Sequence, residues 1–208
     1  MLLKVNGAAQ QKGCFMKNEN LVLASGSPRR IQMMKEKGYD PLVMPAKVKE
    51  HLPFPMDMET AVLYLSSKKA LWVETALSQR QKSSAPIIIA ADTIVYKNAI
   101  IGKPRDCQDT VEILWKLRND WHYVATGVCL LRAGRPVRKL FCEVTKVFFD
   151  DYPMEAVQAY AQTMEPYDKA GGYAIQGTFG KYVHHIEGDY ENVIGFPWER
   201  IEKELALF

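Results

Sequence analysis

Short apolar runs alternate along this chain with longer stretches in which apolar residues recur every three or four positions, the mark of strands alternating with amphipathic helices. Residues 21–25 (LVLAS) form a strand-length run that meets Gly26, Ser27 and Pro28. This predicts a strand turning into a helix, with Ser27 as the N-cap and Pro28 as the first helical residue. That helix is expected to run to about Lys37 and stop at Gly38, since glycine most easily takes the left-handed conformation at a helix end. Residues 41–44 read as a strand. A long helix follows over about 58–80, with Ala61, Leu65, Trp72 and Ala76 on one face.

Next comes PIIIAAD, a continuous apolar run ending in the carboxylate of Asp92, which reads as a buried central strand. A helix is predicted over 106–117, then a strand over 122–131, a turn over 133–136, and an antiparallel partner over 139–149 with Leu140, Cys142, Val144 and Lys146 on one side. Pro153 and Pro197 open two further helices. The order predicts an α/β fold with an antiparallel portion rather than a simple doubly wound sheet. Residues 1–18 read as a loose extension and 19–208 as one domain.

Composition narrows this little: 208 residues, 48% hydrophobic and 25% charged, are the proportions of a globular protein rather than a disordered one. No apolar run approaches the roughly 20 residues of a membrane span, so no membrane partner is expected. The first residues lack an apolar signal core and contain no Arg before position 29. Cys14, Cys107, Cys129 and Cys142 form no CxxC pair, and a reducing, cytoplasmic setting fits them. The net charge of +3 is too small to point to nucleic acid. Its distribution says more: residues 1–50 hold nine Lys or Arg against four Asp or Glu, and the remainder eighteen against twenty. An anion is expected near the first helix.

Three constellations carry candidate chemistry. In Ser25-Gly26-Ser27-Pro28-Arg29-Arg30, the amides of a helix N-terminus and two guanidiniums suit phosphate oxygens, although a capped helix with two solvated arginines has the same pattern. Asp92-Thr93, with Lys103 ten residues further on, puts a carboxylate at the mouth of a buried strand. A carboxylate there needs a partner or a metal, and the bland alternative is a strand-ending Asp in a turn. The segment 165–177 (EPYDKAGGYAIQG) is too rich in glycine, charge and aromatics for an ordinary loop, although Asp168 and Lys169 alone could be a solvated pair. His184 and His185 are neighbours on opposite faces of any strand and cannot simply chelate one metal.

LASGSPRR, AADTIV followed by GKP, ATGV at residues 125–128, DKAGGYAIQG and EGDYENVIGFP together resemble, in order and spacing, the Maf family of septum-formation-protein homologues. The resemblance runs over about 21–205. It implies a mixed, twisted sheet with two lobes flanking an active-site cleft, a fold shared with inosine triphosphate pyrophosphatases. It also implies hydrolysis of nucleoside triphosphates to monophosphate and pyrophosphate with a divalent cation, Mg²⁺ or Mn²⁺, and a homodimer would be ordinary for such a family. Carried onto this chain, Ser27, Arg29 and Arg30 fall on the phosphate-binding motif and Lys69 on the lysine of the long helix. Glu50 falls on the acidic position after the second strand, and Asp92, Lys103 and Gln176 on the remaining polar positions. Thr93 after Asp92 resembles the dTTP/UTP branch.

The chain departs from the family pattern at Lys47-Val48-Lys49, which precedes Glu50 where more acid is usual. It departs again at Asn119-Asp120-Trp121, and at Phe196 in place of Leu. Asp92 is expected either to hold the metal with Glu50 or to act as general base with Glu50 alone on the metal, since both roles need the same ionised carboxylate. Two other readings compete: a nucleotide-binding regulator of division that turns nothing over, and a purine-directed enzyme with a different base pocket.

Overall fold

The computed structural model describes residues 20–79 and 85–208; the proposed loose extension at 1–18 lies outside the described residues. The strands are β1 (Leu21–Leu23), β2 (Leu42–Val43), β3 (Ile87–Tyr96), β4 (Ile100–Ile101), β5 (Trp121–Arg132), β6 (Arg138–Phe149) and β7 (Val183–Glu187). The helices are α1 (Pro28–Glu36), α2 (Met58–Ser78), α3 (Cys107–Leu117), α4 (Met154–Ala161), α5 (Tyr190–Ile194) and α6 (Trp198–Leu205). Among the described residues the strands make one sheet in the order β2-β1-β3-β5-β6-β7, with β4 also paired to β3. β1 runs parallel to both β2 and β3, and every other pairing is antiparallel. This is the α/β class with an antiparallel portion that the sequence predicts.

The apolar run at 87–91 does not end at Asp92, as the sequence suggested. β3 continues to Tyr96 because Ile94 and Val95 are buried beyond it, so the carboxylate lies in mid-strand. Along one edge of β3, β5 pairs the whole way from Ile87 to Tyr96. Along the other edge, β1 covers Ile87 to Ile89 and β4 covers Val95 and Tyr96, which leaves the middle without a strand neighbour. The core divides at the same level. On one side Leu23, Ile89, Val128 and Leu130 pack against α1 and α6, while Ile88, Ala90 and Leu131 pack against the second half of α2. On the other side Val95, Val124, Val147 and Phe149 pack against α3 and α4, while Ile94 and Ala125 pack against the start of α2. Two lobes therefore share β3 and β5, and the gap in the β3 edge opens between them.

α2 crosses both lobes. Asp57 caps it by accepting from the Thr60 amide at 2.8 Å, and it buries Val62, Leu65, Ser66, Lys69, Val73 and Leu77. In its second half the buried stripe is Val73 and Leu77 rather than the expected Trp72 and Ala76, because that stripe continues in register from Val62 and Lys69. Gly127, paired with Asp92, is what lets α2 approach: a β-carbon there would fall 2.4 Å from the Val62 carbonyl. Close approach at Val62 brings Lys69, two helical turns along the same face, over the middle of β3. Replacing Gly127 with Ala is expected to lift α2 and to cost about 1–3 kcal/mol by overpacking. The shift in urea midpoint at constant slope measures that cost, and an unchanged midpoint would refute it.

Candidate active site

The site begins where β1 ends. The chain leaves β1 through Ala24, whose amide still donates to Ile89 O at 2.8 Å, and then turns at Gly26 into α1. Ser27 stands at the cap position before Pro28 but makes no side-chain cap bond; instead its amide donates to Ser25 Oγ at 3.2 Å. Arg29 is half-buried at the rim of a cavity of about 580 Å³ that fills the gap between the lobes.

Asp92 projects into this cavity from the α2 face of β3, and Lys69 projects from α2 to meet it. Lys69 Nζ lies 2.5 Å from Asp92 Oδ1 and 2.6 Å from Glu50 Oε1. Lys103 Nζ reaches the other Glu50 oxygen at 3.2 Å. The result is an alternating array of acid and base running from the buried interior to the cleft mouth. Burial pushes the Asp92 carboxyl above the usual range, opposed by Lys69 and Arg30. Glu50 is exposed at the cleft mouth, and what burial it has acts on it in the same upward sense. Its bond to Lys69 and the charges of Lys69 and Lys103 outweigh that and bring it down to about 2.

Of the residues singled out in the sequence, Ser27, Arg29, Arg30, Glu50, Lys69, Asp92, Thr93 and Lys103 all line this one cavity. Gln176 does not: it is exposed on the loop that precedes the 3₁₀ segment Thr178–Tyr182, outside the lining. Thr93 faces the opposite side of the sheet from Asp92. Its hydroxyl accepts from Arg30 Nη2 at 3.0 Å and shares a proton with Thr126 Oγ1 at 2.9 Å. Arg30 is buried, with its guanidinium turned toward the fold.

Two lining residues to which sequence reasoning assigned no role are Asp168 and Lys169. Lys169 Nζ donates to Asp168 Oδ1 at 2.5 Å and to Glu165 O at 2.6 Å. The signal for them was the unusual segment 165–177 itself, which fixes this pair by the left-handed glycines Gly171 and Gly172 and by Glu165 holding the Thr178 amide. His184 and His185 lie outside the cavity lining, on β7.

A cation already bridges the two central carboxylates, in the form of the Lys69 ammonium, so the pair is built to hold positive charge. Hard carboxylate oxygens of this kind, with phosphate oxygens completing the shell, suit Mg²⁺ or Mn²⁺. Among the described residues no group of three or more His, Cys, Asp or Glu gathers to hold a metal. No helix among the described residues is long and apolar enough to cross a membrane.

A family profile described as Maf-like protein matches residues 20–208. The chain belongs to the Maf family. Over 189 residues it is 41% identical to the dTTP/UTP pyrophosphatase of Exiguobacterium sibiricum, covering 90% of this chain and 92% of that one. Over 190 residues it is 41% identical to the dTTP/UTP pyrophosphatase of Desulfitobacterium hafniense, covering 90% and 85%. Among solved structures, that of the Staphylococcus aureus Ham1 protein covers 90% of this chain and 98% of its own, with 14% identity and a TM-score of 0.47.

In this Maf-family chain the acid–base array sets a pH dependence whose sign follows from Glu50. Its folded-state carboxyl is held near 2, below the usual value of 4.5, so its contribution to stability is complete above about pH 4.5 and is lost as pH falls through about 2. Acid unfolding of Glu50→Gln is therefore expected to depend less steeply on pH across that window than the parent chain. Equal slopes would show that the Lys69 and Lys103 contacts do not persist in solution.

Proposed function

We propose that this chain is a metal-dependent nucleoside triphosphate pyrophosphatase acting on dTTP, UTP or modified pyrimidine nucleotides, and releasing the monophosphate and pyrophosphate. The observation that carries the reading is the array Asp92–Lys69–Glu50–Lys103, set in a cleft beside the Ser27-Pro28-Arg29 helix start. The names of relatives 41% identical over nearly the whole chain support the substrate class.

A water oxygen attacks the α-phosphorus, the bond from that phosphorus to the bridging oxygen breaks, and pyrophosphate leaves with the electron pair. Arg29 and the amides that open α1 receive phosphate oxygens, and Lys103 and Lys169 add positive charge along the same wall. Lys69, reaching down from α2, supplies the positive charge that opposes the upward push of burial on the Asp92 carboxyl. Asp92 acts on the water or on the ion, and either role needs the ionised carboxylate. Asp92 and Glu50, with phosphate oxygens, would hold Mg²⁺ or Mn²⁺, which when bound neutralises phosphate charge and polarises the reacting phosphoryl group.

Pyrophosphate release from a panel of canonical and modified nucleoside triphosphates, with Mg²⁺ or Mn²⁺ and with EDTA, tests the reading. Release from dTTP or UTP that needs metal and falls about 10²–10⁴-fold in Asp92→Asn is expected. Nucleotide binding without release from any triphosphate would replace the enzyme with a binding protein. Preferred release from purine triphosphates would move the substrate class.

A further inference from the structure

Arg30 enters the sequence as half of a pair of phosphate-gripping guanidiniums, yet all the bonds seen from its side chain go to the fold. Nε donates to Gly195 O at 2.8 Å, Nη1 donates to Ala91 O at 2.7 Å and Ser25 Oγ at 3.2 Å, and Nη2 donates to Thr93 Oγ1 at 3.0 Å. A guanidinium has five N–H groups, so these four bonds nearly exhaust it. It is also buried, at 8% exposure, with little surface left for a ligand.

The place it fills is specific. In a parallel ladder alternate carbonyls of β3 face β1, and Ile89 O takes the Ala24 amide. The next carbonyl on that side is Ala91 O, at the point where the chain after Ala24 has already turned away into α1. Arg30 Nη1 takes the position of the missing backbone donor. A buried carbonyl left unpaired is costly, so the guanidinium keeps the ladder intact beyond the end of β1. Nη2 holds the Thr93 hydroxyl, which continues through Thr126 Oγ1 to the Asn192 carbonyl at 3.3 Å. Nε holds Gly195, whose φ of +101° lies in the left-handed region and whose β-carbon, if present, would sit 3.0 Å from Thr93 Oγ1.

We propose that Arg30 is a positioning residue: by holding Ala91 and Thr93, the residues on either side of Asp92, across the one stretch of β3 without a strand on that edge, it sets where the Asp92 carboxylate points. This rests on the pyrophosphatase reading only in what Asp92 does once positioned. A phosphate ligand is read in nucleotide affinity. A positioning residue is read in turnover, because a displacement of about 1 Å at the reacting groups costs about 10²-fold in rate.

The test compares Arg30→Lys with Arg29→Lys by three readings: kcat and KM on dTTP, the Kd of inorganic pyrophosphate, and amide exchange at residues 90–94. Arg30→Lys is expected to lower kcat about 10–100-fold, to leave KM and the pyrophosphate Kd within about threefold, and to speed exchange at 90–94. Arg29→Lys is expected to weaken pyrophosphate and leave that exchange unchanged. Pyrophosphate binding weakened tenfold or more in Arg30→Lys, with kcat and exchange unchanged, would overturn the proposal and return Arg30 to the phosphates. If the parent chain turns over no triphosphate, the enzymatic reading fails by itself, and exchange with pyrophosphate binding still decides Arg30. Should Arg30→Lys fail to fold, Ser25→Ala removes one acceptor of the same guanidinium. A fall in kcat of about threefold or more at constant pyrophosphate Kd is then expected, and loss of pyrophosphate affinity in its place would count against positioning.

Discussion

Asp92 is 6% exposed halfway along a strand of isoleucine, alanine and valine, where an uncompensated carboxylate costs several kcal/mol, and separate parts of the chain are committed to offsetting that cost. Lys69 comes down from α2 to within 2.5 Å, Glu50 shares that lysine from the loop after β2, and Lys103 shares Glu50. The helix can deliver the lysine only because Gly127, opposite Asp92, has no side chain to hold α2 away. A buried pair of this kind is weak evidence for stability, since well-packed apolar residues do as well. Its presence here is better explained by what a fixed carboxylate paired with a cation in a cleft can do.

The same carboxylate marks where the sheet is interrupted. β1 and β4 flank β3 on one edge without meeting, and the cavity between them is open to both faces of the sheet, so Asp92 and Thr93 line it from opposite sides. A continuous edge strand would have filled the space where a substrate must enter. The gap leaves backbone groups to be satisfied by other means, and the buried guanidinium of Arg30 answers for one of them. The two-lobed form and the cleft thus have one cause, which is that the neighbour of β3 changes in mid-strand.

Much of this was legible in the residues. Gly26, Ser27 and Pro28 placed the start of α1 and Gly38 its end, with Gly38 at φ +87° as the helix stop requires. The turn at 133–136 and the antiparallel pairing of its flanking strands also stood in the pattern, with Gly134 at φ +69°. What misled was local reading of isolated features. A carboxylate after five apolar residues looked like the end of a strand, because nothing in the sequence shows a lysine 23 positions earlier arriving to pair with it. Arg29 and Arg30 looked equivalent because adjacency on paper hides that one is half-buried at the cavity and the other is buried in its wall with its guanidinium bonded to the fold. Gln176 had the right motif around it and lies on an exposed loop.

The sequence by itself determined the α/β class, the antiparallel half, most element positions and many of the charged and polar residues that line the cavity. These follow from periodicity, turn chemistry and residue type, which act over a few positions at a time. Tertiary structure alone decided which of those residues touch and which role each can fill. Asp92 is paired because α2 crosses over it, and Arg30 is occupied because β1 stops short. Asp168 and Lys169 join the cavity because two left-handed glycines turn their segment into it. Each of these is a meeting of groups far apart in the chain, governed by burial and by the need to satisfy every buried polar atom, and no local pattern encodes it.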